Sequence, residues 1–193
     1  MKRLILVIGI LLILVIFFAG CEGTTTPGTG TGVSGSFRLV LFQDPAGYFS
    51  ILVPQGVTIS NEDTELESDY VYYQLSDGTK NMVTLTLADF SSIPWLPQNL
   101  TAEGFANLQT LGILFMSEGN EFSNLEGPTE YGGGSYYTAT LNDPEIGYPV
   151  QFAIFVKKVA ELQFASFGVI LNNEVTKSVF LQMIDSFKVL KTL

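Results

Sequence analysis

Histidine is absent from this 193-residue sequence, and cysteine occurs once, at position 21. The chain therefore cannot form an internal disulfide, a metal site built from histidines or several cysteines, or a histidine-dependent catalytic triad. Serine-hydrolase and zinc-protease motifs are also missing. A glycosidase would need only two carboxylates, which leaves that class open. The residue types nevertheless favour a protein that is not an enzyme and uses no metal or cofactor.

Basic residues are few, nine against 19 acidic ones, which gives the chain a net charge of −10. Such a surface repels phosphate backbones and anionic lipid head groups, so we expect no binding of nucleic acid. The imbalance is concentrated in residues 22–145, where 16 acidic residues accompany only Arg38 and Lys80. A protein partner of this part of the chain should therefore present a basic surface.

The first 20 residues have the layout of a secretory signal peptide. Two basic residues precede an apolar run from Leu4 to Phe18, and small residues follow before Cys21. A retained membrane anchor is the alternative, although the run is near the lower limit for spanning a hydrocarbon core of about 30 Å. Residues 18–21 (FAGC) resemble the bacterial lipobox, which implies cleavage before Cys21 and lipidation of its sulfur. Two or three acyl chains on Cys21 would hold the protein stably at a membrane.

Residues 22–36 (EGTTTPGTGTGVSGS) contain 13 Gly, Thr, Ser or Pro residues among 15 positions. A segment of this composition is a flexible linker, with a root-mean-square span of roughly 20 Å. The predicted organisation is therefore a signal peptide at 1–20, the lipidated Cys21 with its linker at 21–36, and one folded domain at 37–193.

Alternating apolar positions separated by turn residues begin at residue 37 and predict a β-rich domain with two helices. The predicted order is ββββ-α-βββ-α, with strands at 37–42, 48–53, 70–75, 80–88, 135–141, 150–156 and 162–171. The last two strands should turn at Lys157-Lys158. Thr101 is the expected N-cap of the first helix, which should end near Ser117 and pack through Phe105, Leu108, Leu111, Gly112 and Phe115.

The second helix should follow Asn172 or Asn173, with five apolar residues facing the sheet: Val179, Phe180, Met183, Ile184 and Phe187. Lys188 and Lys191 are expected near the negative end of its dipole. Two stretches of the domain resemble the PsbP-like family. Residues 44–54 (DPAGYFSILVP) resemble that family's opening D-P-x-G-x-F-S-I-x-x-P motif, and residues 180–188 (FLQMIDSFK) resemble its final helix ending in Ser-Phe-Lys.

This resemblance implies an α+β fold, in which helices pack on an antiparallel β-sheet to form an α/β/α sandwich. Members of known role include an extrinsic subunit of photosystem II and, at the level of the shared sandwich, a Ran-GTPase-binding protein. Those roles differ widely, so the resemblance implies a fold and leaves the function open.

The densest polar feature is residues 62–69, where five of eight residues are acidic. In an extended chain Glu65, Glu67 and Asp69 project to one side about 7 Å apart, where they could share a divalent cation or meet a basic partner. A solvated loop explains the same residues without any binding role.

Aromatic residues supply the other candidates for binding. Trp95 lies between two prolines in a stiff loop, where it either covers the sheet edge or forms an exposed contact. Tyr136 belongs to a tyrosine-rich segment that admits the same two interpretations. The glycines at 132–134 should mark a bulge or hairpin bend instead of a phosphate cradle, because neither a helix start nor a lysine follows them.

These features predict a non-enzymatic lipoprotein, secreted and anchored in the cell envelope by the lipid on Cys21. Its expected role is to bind or stabilise a basic-surfaced envelope protein or complex. The alternative is a receptor for a small ligand or a divalent cation.

Overall fold

The computed structural model describes residues 37–60, 65–79, 81–116, 121–142 and 148–193. The signal peptide, Cys21, the linker, Glu62 and Asp63 lie outside the described residues. The helices are α1 (Ala102–Met116) and α2 (Lys177–Ser186). The strands are β1 (Leu39–Gln43), β2 (Phe49–Pro54), β3 (Thr58–Ile59), β4 (Glu65–Leu66), β5 (Tyr70–Ser76), β6 (Met82–Asp89), β7 (Glu121–Tyr131), β8 (Gly134–Asn142), β9 (Val150–Ala160), β10 (Gln163–Leu171) and β11 (Lys188–Val189).

The strands form one large and one small sheet, and every pairing is antiparallel. The large sheet has the order β3-β5-β6-β10-β9-β8-β7, and β4 also pairs with β5. The small sheet has the order β1-β2-β11. Both predicted hairpins are therefore confirmed, as β1 with β2 and β5 with β6.

Alternation along the strands of the large sheet divides the apolar side chains between two cores. In β6, Val83, Leu85 and Leu87 are fully buried on the face covered by α2 and the small sheet. The opposite face carries Phe164 and Tyr137, among others, beneath α1 and the loop at residues 90–101. The domain is thus an α/β/α sandwich around an antiparallel sheet, and the predicted fold class is confirmed.

Several details of the predicted order are wrong. The long β7 and the short β3, β4 and β11 were not expected, and β9 continues through Lys157 and Lys158 instead of turning there. The turn falls at Glu161-Leu162, because both lysines lie half-buried in the strand and the amine of Lys158 donates to the carbonyl of Leu100 at 2.8 Å.

The helix predictions are confirmed in part. Thr101 caps α1, since its hydroxyl accepts from the N–H of Gly104 at 3.0 Å, but Leu108 is 41% exposed and Ala106 is buried in its place. Phe180, Met183, Ile184 and Phe187 are buried as expected. The last turn of α2 holds no basic residue: Lys188 follows the C-cap residue Phe187 directly and begins β11, whereas the amine of Lys191 lies over the ring of Tyr48.

The two stretches that resemble the PsbP-like family pack against each other. Ser186 accepts a hydrogen bond from the N–H of Leu52 at 2.8 Å. The ring of Phe187 stacks on that of Phe49, with centroids 6.0 Å apart. Both stretches therefore serve to join α2 to the small sheet, and their role is structural.

Asp44 is the buried acceptor that holds this junction together. Its carboxylate is 2% exposed and accepts from the N–H groups of Ala46 and Phe49, which closes the β1–β2 turn. Gly47 permits that turn with a φ of +76°. The hydroxyl of Tyr73 in β5 also donates to Asp44, at 3.0 Å, and so ties the small sheet to the large one.

Tyr73→Phe should change how stability depends on pH. Burial and the hydrogen bond to Asp44 raise the pKa of Tyr73 to about 12. Between about pH 10 and pH 12 the unfolded tyrosine loses its proton while the folded one keeps it, so stability falls as pH rises. Removing this hydroxyl should reduce the slope of unfolding free energy by on the order of 1.4 kcal/mol per pH unit in that window.

Urea unfolding at intervals from pH 8 to pH 12 measures that slope. Tyr148→Phe is the control, because Tyr148 is 60% exposed, and it should follow the wild type. An unchanged slope in Tyr73→Phe would mean that the hydroxyl of Tyr73 ionises as readily in the folded state as in the unfolded one.

Candidate functional site

Acidic side chains gather at one end of the large sheet, where β5 and β10 begin and β6 and β9 end. We call this the acidic end and define it as Glu65, Glu67, Asp69, Asp89 and Glu161. Main-chain hydrogen bonds bring its segments together: the N–H of Asp89 donates to the carbonyl of Asp69 at 2.9 Å, and that of Phe90 to the carbonyl of Leu162, also at 2.9 Å. Antiparallel order thus places acids that are far apart in sequence on neighbouring segments.

Most of this charge faces solvent. Glu65, Glu67 and Glu161 are exposed, and Asp69 and Asp89 are half-buried. No ion pair within the described residues involves any of the five carboxylates. Partial burial opposes the ionisation of Asp89, but hydrogen bonds from Ser91 and Gln163 hold the pKa of its carboxyl below the usual value.

The negative charge at the acidic end also affects the pKa of a tyrosine inside the sheet. Burial, followed by the neighbouring Tyr72 and the carboxylate of Glu65, raises the pKa of Tyr70 at the start of β5. The phenol of Tyr70 therefore stays protonated even at a pH where an exposed tyrosine ionises, and it contributes no charge to the acidic end.

Trp95 projects from the loop that leaves the acidic end. This loop begins at Phe90, which packs on Phe164, and reaches the carbonyl of Leu100, which Lys158 holds. Ile93 and Leu96 are buried on either side of Trp95, and they fix the loop to the sheet. Trp95 itself is 65% exposed. Trp95 therefore lies open to solvent instead of covering the sheet edge.

Tyr136 lies elsewhere and is buried. Alternation in β8 directs its ring to the α2 face, where it meets Phe180 edge-to-face with centroids 5.7 Å apart, and the amine of Lys177 lies 5.8 Å from its centroid. Only 8% of Tyr136 is exposed. The expectation of a binding role for Tyr136 therefore has no support, because α2 covers the ring.

A cleft of about 450 Å³ lies between the start of α1 and the β7–β8 turn. Glu103 and Glu130 are exposed at its walls. The expected bend at the glycines is confirmed: Gly132 and Gly133 form the turn with φ values of +58° and +75°. A Cβ at Gly132 would meet Ile184 at 2.4 Å, so this turn needs glycine to approach α2.

The structure gives no support to a cation site at Glu65, Glu67 and Asp69. Within the described ranges, no three side chains of the metal-binding types lie close enough to share an ion.

In the same part of the chain, no helix is both long enough and apolar enough to cross a bilayer.

Sequence reasoning missed Asp89 and Glu161 as members of the acidic end. Asp89 stands at the end of an apolar strand, and Glu161 precedes the first residue of the next predicted strand, so each looks like an ordinary turn residue. Their position at strand ends was the available signal. Joining them to Glu65, Glu67 and Asp69 required the strand order β5-β6-β10-β9.

Solved structures of other proteins resemble the fold of this chain. The Ran-binding protein Mog1p of Saccharomyces cerevisiae matches with a TM-score of 0.50 and 11% identity, covering 81% of this chain and 97% of Mog1p. Cyanobacterial PsbP (CyanoP) from Synechocystis matches with a TM-score of 0.50 and 18% identity, covering 85% of this chain and 99% of CyanoP. The chain has a PsbP-like fold. No protein-family model matches the sequence, and no similar curated protein is found.

At these identities the likeness concerns the PsbP-like fold alone. A mutant of Mog1 matches in the same way, with a TM-score of 0.50, 11% identity, and coverage of 80% of this chain and 97% of Mog1. Proteins of this fold thus include one that is named for binding another protein. What this chain binds has to be argued from its own surface.

Proposed function

We propose that the protein is a membrane-tethered, non-enzymatic binding module that docks through its acidic end on a basic-surfaced envelope protein or complex. The observation that carries this proposal is the gathering of five carboxylates at one end of the sheet, next to the loop that exposes Trp95. Exposed charge of one sign accelerates encounter with an oppositely charged partner, and a rigidly held tryptophan is a frequent source of binding energy.

The argument for a membrane tether comes from the sequence. The lipid on Cys21 would hold the chain at the membrane, and the linker at residues 22–36 would let the folded domain turn toward a partner. The membrane then concentrates the module near other envelope proteins, which favours binding without new contacts. A location in the cell envelope outside the cytoplasm follows from the same signal peptide.

The comparisons support a binding role in general terms. Mog1p is named as a Ran-binding protein, so a sandwich of this fold can serve protein recognition. The scarcity of catalytic residue types in the sequence supports the same class of function. Neither observation identifies the partner of this chain.

Reversing the charge at the acidic end should weaken capture of the partner. In Glu65→Lys/Glu67→Lys/Asp69→Lys, recovery of the partner from envelope extracts at low salt should fall at least about tenfold, because steering by opposite charges is lost. At about 1 M salt the difference should shrink, since the Debye length falls to about 3 Å. The unfolding midpoint should change little, because the three residues lie at the surface.

A charge-matched pair of variants separates the acidic end from net charge. Glu65→Gln/Glu67→Gln/Asp69→Asn and Asn173→Lys/Ser178→Lys/Gln182→Lys raise the net charge equally, and the second set lies at exposed positions in and beside α2. Only the first should reduce capture. Equal capture by all variants at every salt concentration would mean that the acids serve solubility alone.

The alternative function, a receptor for a small ligand, is favoured by the cleft beside α1. Calorimetric titration with Ca²⁺ and with envelope sugars tests it. Saturable binding that disappears in Glu103→Gln/Glu130→Gln would favour the receptor, whereas absence of heat with every ligand would favour the protein-binding module.

A further inference from the structure

The cleft between the start of α1 and the β7–β8 turn lies at the same end of the large sheet as the acidic end. Strand β8 begins where the antiparallel β9 ends, so the β7–β8 turn lies beside the end of β9. One row of directly paired residues crosses seven strands, from β4 to β7: Glu65, Tyr72, Thr86, Ser166, Val156, Ser135 and Glu130. Paired residues share a face of the sheet, so Glu65 and Glu130 lie on one face, roughly 30 Å apart.

Ser135 lies buried at the floor of this cleft. In β8 it points to the same face as Tyr137, toward the start of α1, and it is 2% exposed. Its hydroxyl makes no hydrogen bond to any described residue. Buried hydroxyls without a partner are few in folded proteins, and one that lines a cleft is available to a ligand.

Two carboxylates flank Ser135. Glu130 is directly paired with Ser135 across β7 and β8, so their Cβ atoms lie about 5 Å apart. Glu103 stands on the opposite wall, in the first turn of α1, where its charge offsets the positive end of the helix dipole. Both are exposed, and no ion pair among the described residues involves them. None of the described residues that line the cleft is basic, so the cleft attracts a cation.

We propose that this cleft takes the ammonium group of a lysine side chain of the basic partner, an inference that rests on the proposed function. An ammonium has three N–H donors, and Glu103, Glu130 and Ser135 supply one acceptor each. A divalent cation takes more oxygen ligands, and within the described residues no third acid lies close enough. The planar guanidinium of arginine pairs best with one carboxylate in bidentate geometry, so three separate acceptors favour lysine.

The remaining wall suits the methylene stem of a lysine. Tyr131 lines the cleft, and its hydroxyl donates to Asp185 at 3.1 Å, which holds the ring in place. The three glycines at 132–134 complete this wall with main chain alone. Lysine stems lie along such surfaces while the ammonium reaches polar groups. The loop that exposes Trp95 leads from the acidic end to the start of α1, so one partner surface can meet all three places.

NMR titration of the full chain in mild detergent tests the cleft without the partner. The probe is Nα-acetyl-lysine amide, whose only charge is the side-chain ammonium. It should shift the main-chain amide signals of Gly133 and Ser135 saturably, whereas Nα-acetyl-norleucine amide, which lacks the ammonium, should not. Nα-acetyl-arginine amide should bind at least about threefold more weakly than the lysine probe, because its planar fork does not match three separate acceptors.

Two acids of β7 supply a charge-matched pair of variants. Glu130→Gln should weaken binding of the lysine probe at least about threefold, because it removes one carboxylate from the cleft. Glu126→Gln should leave binding unchanged, since Glu126 pairs with Lys177 of α2 at 3.2 Å. Ser135→Ala should also weaken binding at least about threefold, because it removes a hydrogen bond to a charged group. The unfolding midpoint shows whether each variant is folded.

Absence of saturable shifts, equal binding of the norleucine or arginine probe, or unchanged binding in both Glu130→Gln and a folded Ser135→Ala would each overturn the lysine site. Should Ser135→Ala fail to fold, Glu130→Gln decides the outcome.

Partner capture shows whether the lysine belongs to the partner. Glu103→Gln/Glu130→Gln should lower recovery from envelope extracts at low salt at least about threefold, and Glu126→Gln should not. If the acidic-end variants lower capture and the cleft variant does not, this inference is overturned while the proposed function stands. If neither set lowers capture, the proposed function fails, and the assignment of the lysine to the partner fails with it.

Discussion

Phe187→Ala is expected to lower the free energy of unfolding by about 3–5 kcal/mol, the usual cost of emptying a buried aromatic site. Phe187 is 4% exposed at the end of α2. Its ring stacks on Phe49, meets Phe155 at 90°, and lies 5.1 Å from the centroid of Phe167. These three rings belong to the small sheet and to two central strands of the large one. Alanine would therefore open a cavity where three elements of the fold meet.

Denaturant unfolding at neutral pH measures this loss. Leu190→Ala is the control, because Leu190 lies three residues farther along the chain and is 48% exposed. Its substitution should change the stability by less than about 0.5 kcal/mol. A loss below about 1 kcal/mol in Phe187→Ala would contradict the view that this ring joins the two sheets.

Cys21→Ser is expected to abolish lipid attachment completely. Transfer of the diacylglycerol group forms a thioether, which requires a sulfur atom, and the chain has no other cysteine. Metabolic labelling with a palmitate analogue should therefore mark the wild type and leave the variant unlabelled. The unfolding midpoint of the domain should not change, because residues 22–36 separate position 21 from the folded domain.

A second variant tests whether the position of the cysteine in the sequence matters. Cys21→Ser/Gly23→Cys keeps one cysteine but displaces it from the small residues Ala19 and Gly20. Labelling should not return, because the resemblance to a lipobox places the acceptor directly after those residues. Continued labelling of Cys21→Ser would refute the prediction that the protein is a lipoprotein. Full labelling of the displaced cysteine would show that lipidation does not require a cysteine directly after Ala19 and Gly20.

Much of the fold could be predicted because its signals are local. The alternation of Val83, Leu85 and Leu87 with two threonines repeats every two residues, so any sheet that buries one face must bury these three. The hairpin turns carry residues that few other structures favour, such as Asp44-Pro45 and Asp77-Gly78. Thr101 likewise caps α1 through a bond to a residue only three positions away.

The missed elements lack such local signals. Strand β7 lies at an edge, with every residue from Ser123 to Glu130 exposed or half-exposed, so burial imposes no alternation on its sequence. Lys157 and Lys158 look like turn residues, but Lys158 extends β9 because its amine reaches the carbonyl of Leu100 across 58 positions. A contact of that range cannot be read from neighbouring residues.

In the candidate site, too, some residues could be recognised from the sequence and others could not. Glu65, Glu67 and Asp69 are conspicuous in the sequence because they are consecutive alternate positions. Tyr136 and Trp95 look alike as aromatic residues near turns, yet one is buried beneath α2 and the other is exposed. Composition does not distinguish them, because burial depends on which helix covers which face of the sheet.

The sequence by itself determined the alternating strands, the cap of α1, the two hairpin turns, the acidic balance, and the lone cysteine after an apolar segment, since each of these depends on residues close together in the chain. Only the tertiary structure decided that Asp89 and Glu161 join the acidic end, that Trp95 faces solvent, and that β1 lies at the edge of the small sheet. The physical reason is that strand order and layer packing are set by the burial of apolar faces contributed from the whole domain. The positions of the charged residues and of the sheet edges follow from that packing.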